Sequence, residues 1–173
     1  SLFFKPDGTK MYISGNSGDD VDEYTLSTAW DISTASHVQI FGVTSQDTYP
    51  AGVFFKPDGL GMFILGRSSS SAYQYTLSTA WDISTASYDS VSFSLSSQGG
   101  AKAGFFFKPD GTALFVSDYG TDLVYQYTLS TAWDLSTASY DSVSFSIASQ
   151  DGAAFGLTFK PDGTKMYITG STN

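Results

Sequence analysis

Apolar residues crowd four short segments of the chain on both alternating faces: Leu2 to Lys5, Gly52 to Lys56, Gly104 to Lys108 and Gly156 to Lys160. A strand that is apolar on both faces is one covered on both sides. Each segment runs into Lys-Pro-Asp-Gly, with Pro at the second turn position and Gly at the fourth, which predicts a type I turn and a left-handed Gly closing a hairpin. The second strand follows at once, over Lys10 to Ser14, Gly61 to Leu65, Ala113 to Ser117 and Lys165 to Thr169. Met62 and Ile64 share one of its faces and Phe63 takes the other, so this strand is also sandwiched. A third strand ends in Tyr24 to Leu26, Tyr75 to Leu77 and Tyr127 to Leu129. After a Ser-Thr-Ala-Trp-Asp turn the fourth alternates: Val91, Phe93 and Leu95 against Ser90, Ser92 and Ser94, and Val143, Phe145 and Ile147 against Ser142, Ser144 and Ser146. That is a half-buried strand with a wet face.

These elements recur. Phe-Lys-Pro-Asp-Gly starts at Phe4, Phe55, Phe107 and Phe159, at offsets of 51, 52 and 52, and Tyr-Thr-Leu-Ser-Thr-Ala-Trp-Asp starts at Tyr24, Tyr75 and Tyr127, always 20 residues later. A fixed period of this size marks a repeat architecture. The units span 1–51, 52–103 and 104–155, with the first two strands of a fourth in 156–173. Four antiparallel strands per unit, two-sided on the inside and alternating on the outside, predict an all-β fold, a β-propeller or part of a larger propeller ring. Gly52, Gly104 and Gly156 suit an innermost strand, where backbones converge on the axis.

The string Phe-Lys-Pro-Asp-Gly-Thr-Lys-Met-Tyr-Ile, from Phe4 to Ile13, resembles the Pro-Asp-Gly hairpin of propellers of the YVTN and Tol-translocation type. Those families carry it on the first two strands of a blade. With Tyr-Thr-Leu-Ser-Thr-Ala-Trp-Asp-Ile-Ser-Thr-Ala-Ser, the unit also resembles tandem repeats of secreted bacterial proteins and of structural proteins of environmental bacteriophages. The resemblance implies a propeller in an extracellular, cell-surface or virion setting. The Trp-Asp pair lies before the fourth strand, so it is not the signature of tryptophan-aspartate repeat propellers.

Recurring residues are expected to serve the architecture. Asp7, Asp58, Asp110 and Asp162 belong to turns that favour Asp, and Trp30, Trp81 and Trp133 are expected to wedge between units. Asp31, Asp82 and Asp134 follow Thr28, Thr79 and Thr131 at capping-box spacing, which predicts one short helical turn. Function belongs where the repeats differ. Asp19, Asp20, Asp22 and Glu23 form a carboxylate cluster sufficient in principle for Ca²⁺, but its sister loops lack it, so a solvated acidic loop is the expectation. Between units, Gln46-Asp47, Gln98-Gly99 and Gln150-Asp151 keep the Gln, which is expected to bond an adjacent blade. Asp47, Asp151 and the unpaired Tyr49 are ligand candidates near a channel mouth, and Tyr119, in the variable loop after the second strand, is a further one. His37 is the sole His, at the place held by Tyr88 and Tyr140, with no companion for a metal site or a catalytic dyad.

Composition sets the function classes. A formal charge of −9 on 173 residues argues against nucleic acid and anionic membranes. There is no Cys, which removes disulfides and thiol chemistry, and no apolar run reaches the roughly 18 residues of a membrane-spanning helix. Groups for acid–base or nucleophilic chemistry are scarce. The expectation is a non-catalytic module without cofactor, extracellular or on a virion, used for assembly, adhesion, or receptor and glycan binding. The enzymatic alternative is a lactonase, to which the YVTN type is related. Expected partners are further repeats of a longer chain, or copies of the chain itself in an oligomer or filament, with glycans as ligands.

Overall fold

The computed structural model describes residues 1–171 and consists of strands joined by turns and short 3₁₀ segments. The first antiparallel sheet holds β1 (Leu2–Phe4), β2 (Lys10–Gly15), β3 (Asp20–Leu26) and β4 (Ala35–Gly42) in that order. The second holds β5 (Pro50–Phe55), β6 (Gly61–Gly66), β7 (Ser71–Leu77) and β8 (Ala86–Ser94), and the third β9 (Lys102–Phe107), β10 (Ala113–Asp118), β11 (Leu123–Leu129) and β12 (Ala138–Ser146). A fourth pairs β13 (Ala154–Phe159) with β14 (Met166–Gly170). The sheets pack face to face in chain order, with β1 and β2 against β5, β5 and β6 against β9, and β9 and β10 against β13. This is the all-β, propeller-like architecture predicted from the repeat, with the innermost strands β1, β5, β9 and β13 around one axis.

The inner strands of the later sheets begin two residues before the predicted glycines, at Pro50, Lys102 and Ala154. A bulge accounts for the difference. Pro50 pairs with Gly66 and Gly52 with Leu65, which leaves Ala51 as an extra residue; Ala103 and Phe155 are extra in the same way. A bulge re-aims the side chain it carries. Beyond it the glycines are needed, since a Cβ at Gly104 would stand 3.0 Å from the backbone of Phe155 and Leu157 in the next sheet.

Each Pro-Asp-Gly turn ends in a left-handed Gly, with φ of +73 to +75° at Gly8, Gly59, Gly111 and Gly163. The tryptophans are left-handed too, with φ of 66, 64 and 65° at Trp30, Trp81 and Trp133. Their amides donate to the carbonyls of Gly8, Gly59 and Gly111 at 3.0 Å, and each indole lies where a Cβ on that glycine would project. The left-handed residue also prevents the predicted capping box, because no helical turn can run through it from Thr28 to Asp31. Instead Asp31, Asp82 and Asp134 are themselves the N-caps of 3₁₀ turns at Ile32–Thr34, Ile83–Thr85 and Leu135–Thr137. Each accepts a bond from the Ser backbone N–H two residues on.

Trp81 and Trp133 bridge neighbouring sheets, as expected of wedges, whereas Trp30 is 59% exposed and packs only on Phe4 of its own sheet, because no sheet precedes the first one among the described residues. Trp81 packs on Phe55 of its own sheet at 5.6 Å and on Phe3 of the preceding one at 6.4 Å between ring centroids. Trp133 meets Phe107, Phe63 and Phe54 at 5.5, 6.1 and 6.3 Å. The first interface adds a polar network. The Tyr12 hydroxyl donates to the Trp81 carbonyl at 2.7 Å, while buried Glu23 accepts from Lys10, Gln39 and the amide of Ile83 at 2.5, 2.9 and 3.1 Å. In the second interface Phe63 and Gln74 replace Tyr12 and Glu23, and Gln74 accepts from the Leu135 amide at 2.9 Å. The recurring Gln also crosses between sheets, with Gln46 and Gln98 accepting from the hydroxyls of Tyr75 and Tyr127 at 3.1 Å.

Phe63 is 1% exposed between two sheets, while Ser92 lies on the wet face of β8. Phe63→Ala should therefore cost about 3 to 5 kcal/mol, and Ser92→Ala less than about 0.5 kcal/mol. Urea unfolding of the two variants checks this; equal midpoints would contradict the sandwiched placement of β6.

Candidate functional site

The innermost strands enclose an axial cleft of about 530 Å³. Its lining includes Ser14, Asn16, Tyr49, Arg67, Phe155, Tyr167 and Thr169, together with the bulge residues Ala51 and Ala103. Much of its chemistry comes from positions at which the units disagree. The residue that follows the second strand of each sheet is Asn16, Arg67, Tyr119 and Ser171 in turn, and the bulge residue is Ala51, Ala103 and then Phe155.

Arg67 is the centre of this variation. Its guanidinium carbon lies 4.8 Å from the ring centroid of Tyr49 and 4.3 Å from that of Tyr119. Its nitrogens donate to the Tyr49 hydroxyl at 3.3 Å and to the Tyr119 hydroxyl. Tyr119 in turn stacks on Phe155, with centroids 5.4 Å apart and planes 29° from parallel. A cation placed over aromatic faces is attracted by their quadrupoles and partly stripped of water. Among the described residues it forms no salt bridge. Two of the candidates taken from the sequence, Tyr49 and Tyr119, thus meet around a residue that reading passed over. Aligning the units position by position would have exposed it, because Arg67 is the sole arginine in the chain.

Asp47 and Asp151 serve the loops around the cleft. Buried Asp47 accepts from the amides of Tyr49, Ser69 and Ser68 at 2.6, 2.8 and 3.3 Å. Asp151 accepts from Ala153 N–H at 2.9 Å and lies over Gly170. Gly99 stands in the link that ends the second unit, yet a carboxylate is present there. It comes from Asp118 at the end of β10, which accepts from the amides of Ala101, Gly120 and Thr121 at 3.1, 2.9 and 3.0 Å. Asp118 is the register equivalent of Gly66 and Gly170. The pairs Asp47 with Gly66, Gly99 with Asp118, and Asp151 with Gly170 each place one carboxylate and one glycine in the same small space.

At the third sheet that carboxylate also holds Lys102, whose ammonium lies 2.7 Å from Asp118, 2.9 Å from the Gln98 carbonyl and 4.9 Å from the Tyr125 ring centroid. Both side chains of the pair are 0% exposed. Burial pushes the Lys102 pKa down, partly offset by the charge and hydrogen bond of Asp118. Burial pushes Asp118 up, but the bond and charge of Lys102 and the amides around it prevail, and its carboxyl ends below the ordinary range. A depressed Asp stabilises the fold above its unfolded pKa of about 3.9, and that contribution fades as pH falls through the lower folded value.

The remaining candidates are dispersed. Glu23 turns into the first interface, Asp22 meets His37 Nε2 at 3.0 Å on the exposed side of the sheet, and Asp20 has its pKa raised by burial and by Asp22 and Asp19. Among the described residues no three His, Cys, Asp or Glu side chains are grouped to hold a metal ion. Among the described residues no helix is long and apolar enough to cross a membrane.

No protein-family model and no curated protein sequence matches the chain. Solved structures do. A candidate 6-phosphogluconolactonase from Bacteroides uniformis aligns over 96% of this chain and 46% of its own, with 14% identity and a TM-score of 0.68. A Lactobacillus plantarum protein aligns over 98% and 47%, with 17% identity and a TM-score of 0.68, and the periplasmic gluconolactonase of Pseudomonas aeruginosa over 100% and 42%, with 13% identity and a TM-score of 0.59. At such identities the likeness is one of fold, and the chain spans about half the length of these neighbours. The expectation of a non-catalytic virion-surface or adhesive module is corrected by this comparison, since three of the neighbours are named as lactonases and none as a virion or adhesive protein. The scarcity of His and Cys that prompted that expectation is a property of composition, and composition does not report which side chains the fold gathers.

The exchange of carboxylate and glycine yields a double-mutant prediction. Asp47→Gly removes the acceptor of three amide N–H groups and Gly66→Asp crowds a second carboxylate against Asp47, so each alone should destabilise by about 1 to 3 kcal/mol. The double variant reproduces the third unit's arrangement and should be more stable than the sum of the two losses predicts. Chemical denaturation checks this, and strictly additive losses would show that the two positions do not share one site.

Proposed function

We propose that the chain forms part of a lactonase-like propeller whose axial cleft receives a small anionic sugar derivative, a sugar acid or its lactone, with Arg67 binding the anionic group. The observation that carries this reading is the guanidinium held between Tyr49 and Tyr119 at the cleft. In a chain of net charge −9 a cation in that position is a local exception, and a guanidinium presents paired donors that suit a carboxylate or phosphate. The flanking rings keep water from its faces, which strengthens a charge–charge contact. Phe155 and Tyr167, both exposed and both lining the cleft, offer apolar surface to the C–H face of a sugar. The lactonase names of several structural neighbours point to the same ligand class. In this reading the chain binds and orients: Arg67 fixes the anionic end, and the hydroxyls of Tyr167 and Thr169 accompany the polar groups of the ring.

Calorimetric titration of the chain with gluconate, 6-phosphogluconate and glucose tests the proposal. Both acids should bind saturably and glucose should not at the same concentrations. Arg67→Gln should weaken the acids about tenfold or more, the scale of a charge-assisted bond, while leaving the fold's circular dichroism unchanged. Absence of acid binding, or equal affinity in Arg67→Gln, would overturn it.

A further inference from the structure

Away from the cleft, between the third and fourth sheets, lies a smaller cavity of about 180 Å³ lined by Phe106, Lys108, Pro109, Phe115, Phe159, Lys160 and Gly163. Shifted back by one unit, its aromatic and glycine residues become Phe54, Phe63, Phe107 and Gly111. Those are the residues that surround the Trp133 indole. Gly163 has the left-handed φ of its sisters, +73°, but nothing lies within 4 Å of a Cβ placed on it. The cavity is therefore an indole slot of the kind used twice elsewhere in the chain, by Trp81 and Trp133.

Other features of the same region match one occupant. Strand β14 has a partner only on its β13 side among the described residues, whereas β2, β6 and β10 each pair with a third strand. Phe93 packs edge-on against Tyr127 at 5.4 Å and Phe41 against Tyr75 at 5.7 Å. Their equivalent Phe145 is 60% exposed. Gln46 and Gln98 accept from those same tyrosine hydroxyls, and Gln150 stands at the corresponding place. Gln74 accepts from the amide that follows the Trp-Asp pair of the next unit, and Gln126 is its counterpart. An edge for pairing, a hydrophobic face for a tyrosine, acceptors for a hydroxyl and an amide, and a slot for an indole lie along one continuous surface. That surface continues the interface already formed between the third and fourth sheets.

We propose that this surface is a binding site for an extended segment of Tyr-Thr-Leu-Ser-Thr-Ala-Trp-Asp chemistry, which pairs with the free edge of β14 and inserts its indole over Gly163. Main-chain pairing supplies affinity and the side-chain pockets supply specificity, as in other strand additions. The tryptophan is the anchor, being the large side chain that fills a preformed pocket.

A synthetic peptide with the sequence of residues 123–146 tests the proposal, titrated into the chain and read by calorimetry and by backbone NMR shifts. Saturable binding is expected, with shifts concentrated at Phe106, Phe115, Phe159 and Gly163. The same peptide carrying Trp133→Ala should bind about tenfold more weakly or worse. As a second readout, the segment joined through a flexible linker after residue 173 should raise the melting temperature, and its Trp133→Ala form should not. Equal binding by both peptides, shifts mapping to the first sheet instead, or no change in melting temperature with the joined segment would overturn the proposal.

Discussion

The indole of each complete unit occupies the space that a side chain on the turn glycine would need, and the rest of the architecture hangs from that contact. Holding a tryptophan in the left-handed region costs about 1 to 2 kcal/mol. A buried ring of its size, as at Trp81, removes about 200 Å² from water, worth about 5 kcal/mol at 25 cal/mol per Å², so burial outweighs the strain there. Once the ring is seated, its own backbone N–H is bound to the glycine carbonyl and the following Asp caps the 3₁₀ turn that starts the outer strand, and at Trp81 and Trp133 its outer face also meets the phenylalanines of the preceding sheet. One contact sets the hairpin, the sheet-to-sheet spacing and the entry to the fourth strand together.

Most of this fold was legible from the repeated strings. Two-sided apolar strands at Gly61 to Leu65 and its sisters required neighbours on both faces, and only sheets stacked in series supply them. What the pattern could not show was the conformation of Trp81 or the bulge at Ala51. A left-handed tryptophan is excluded by local preference and exists here only because a glycine distant in sequence makes room for it. The bulge depends on pairing partners, and no single strand carries them.

The site was legible in part. Tyr49 and Tyr119 stood out because they broke the repeat, and the structure brings them to a common guanidinium. Arg67 breaks the repeat as well, but it opens a run of four serines, and neither its type nor its spacing says that the fold turns it onto two aromatic rings. Asp47 and Asp151 looked unrepeated because the third unit draws its carboxylate from the other strand, at Asp118. An exchange between two positions hides a recurring group from any comparison made one column at a time, although the space it fills is the same in each unit. The repeats thus hold a fixed frame while single positions at the axis vary. The first interface is polar through Tyr12, Lys10 and Glu23 and the second apolar through Phe63, with the same frame in both.

The dependence of the fold on the ring over the glycine is measured most directly by the unfolding free energy of Gly59→Ala, determined once with Trp81 present and once in a Trp81→Ala background. If the indole sets the requirement for glycine, the substitution costs several kcal/mol beside Trp81. Without the ring it costs only the left-handed backbone term of about 1 to 2 kcal/mol. The same cost in both backgrounds would contradict it, and would mean that the turn's backbone alone demands glycine and that the tryptophan only rests upon it.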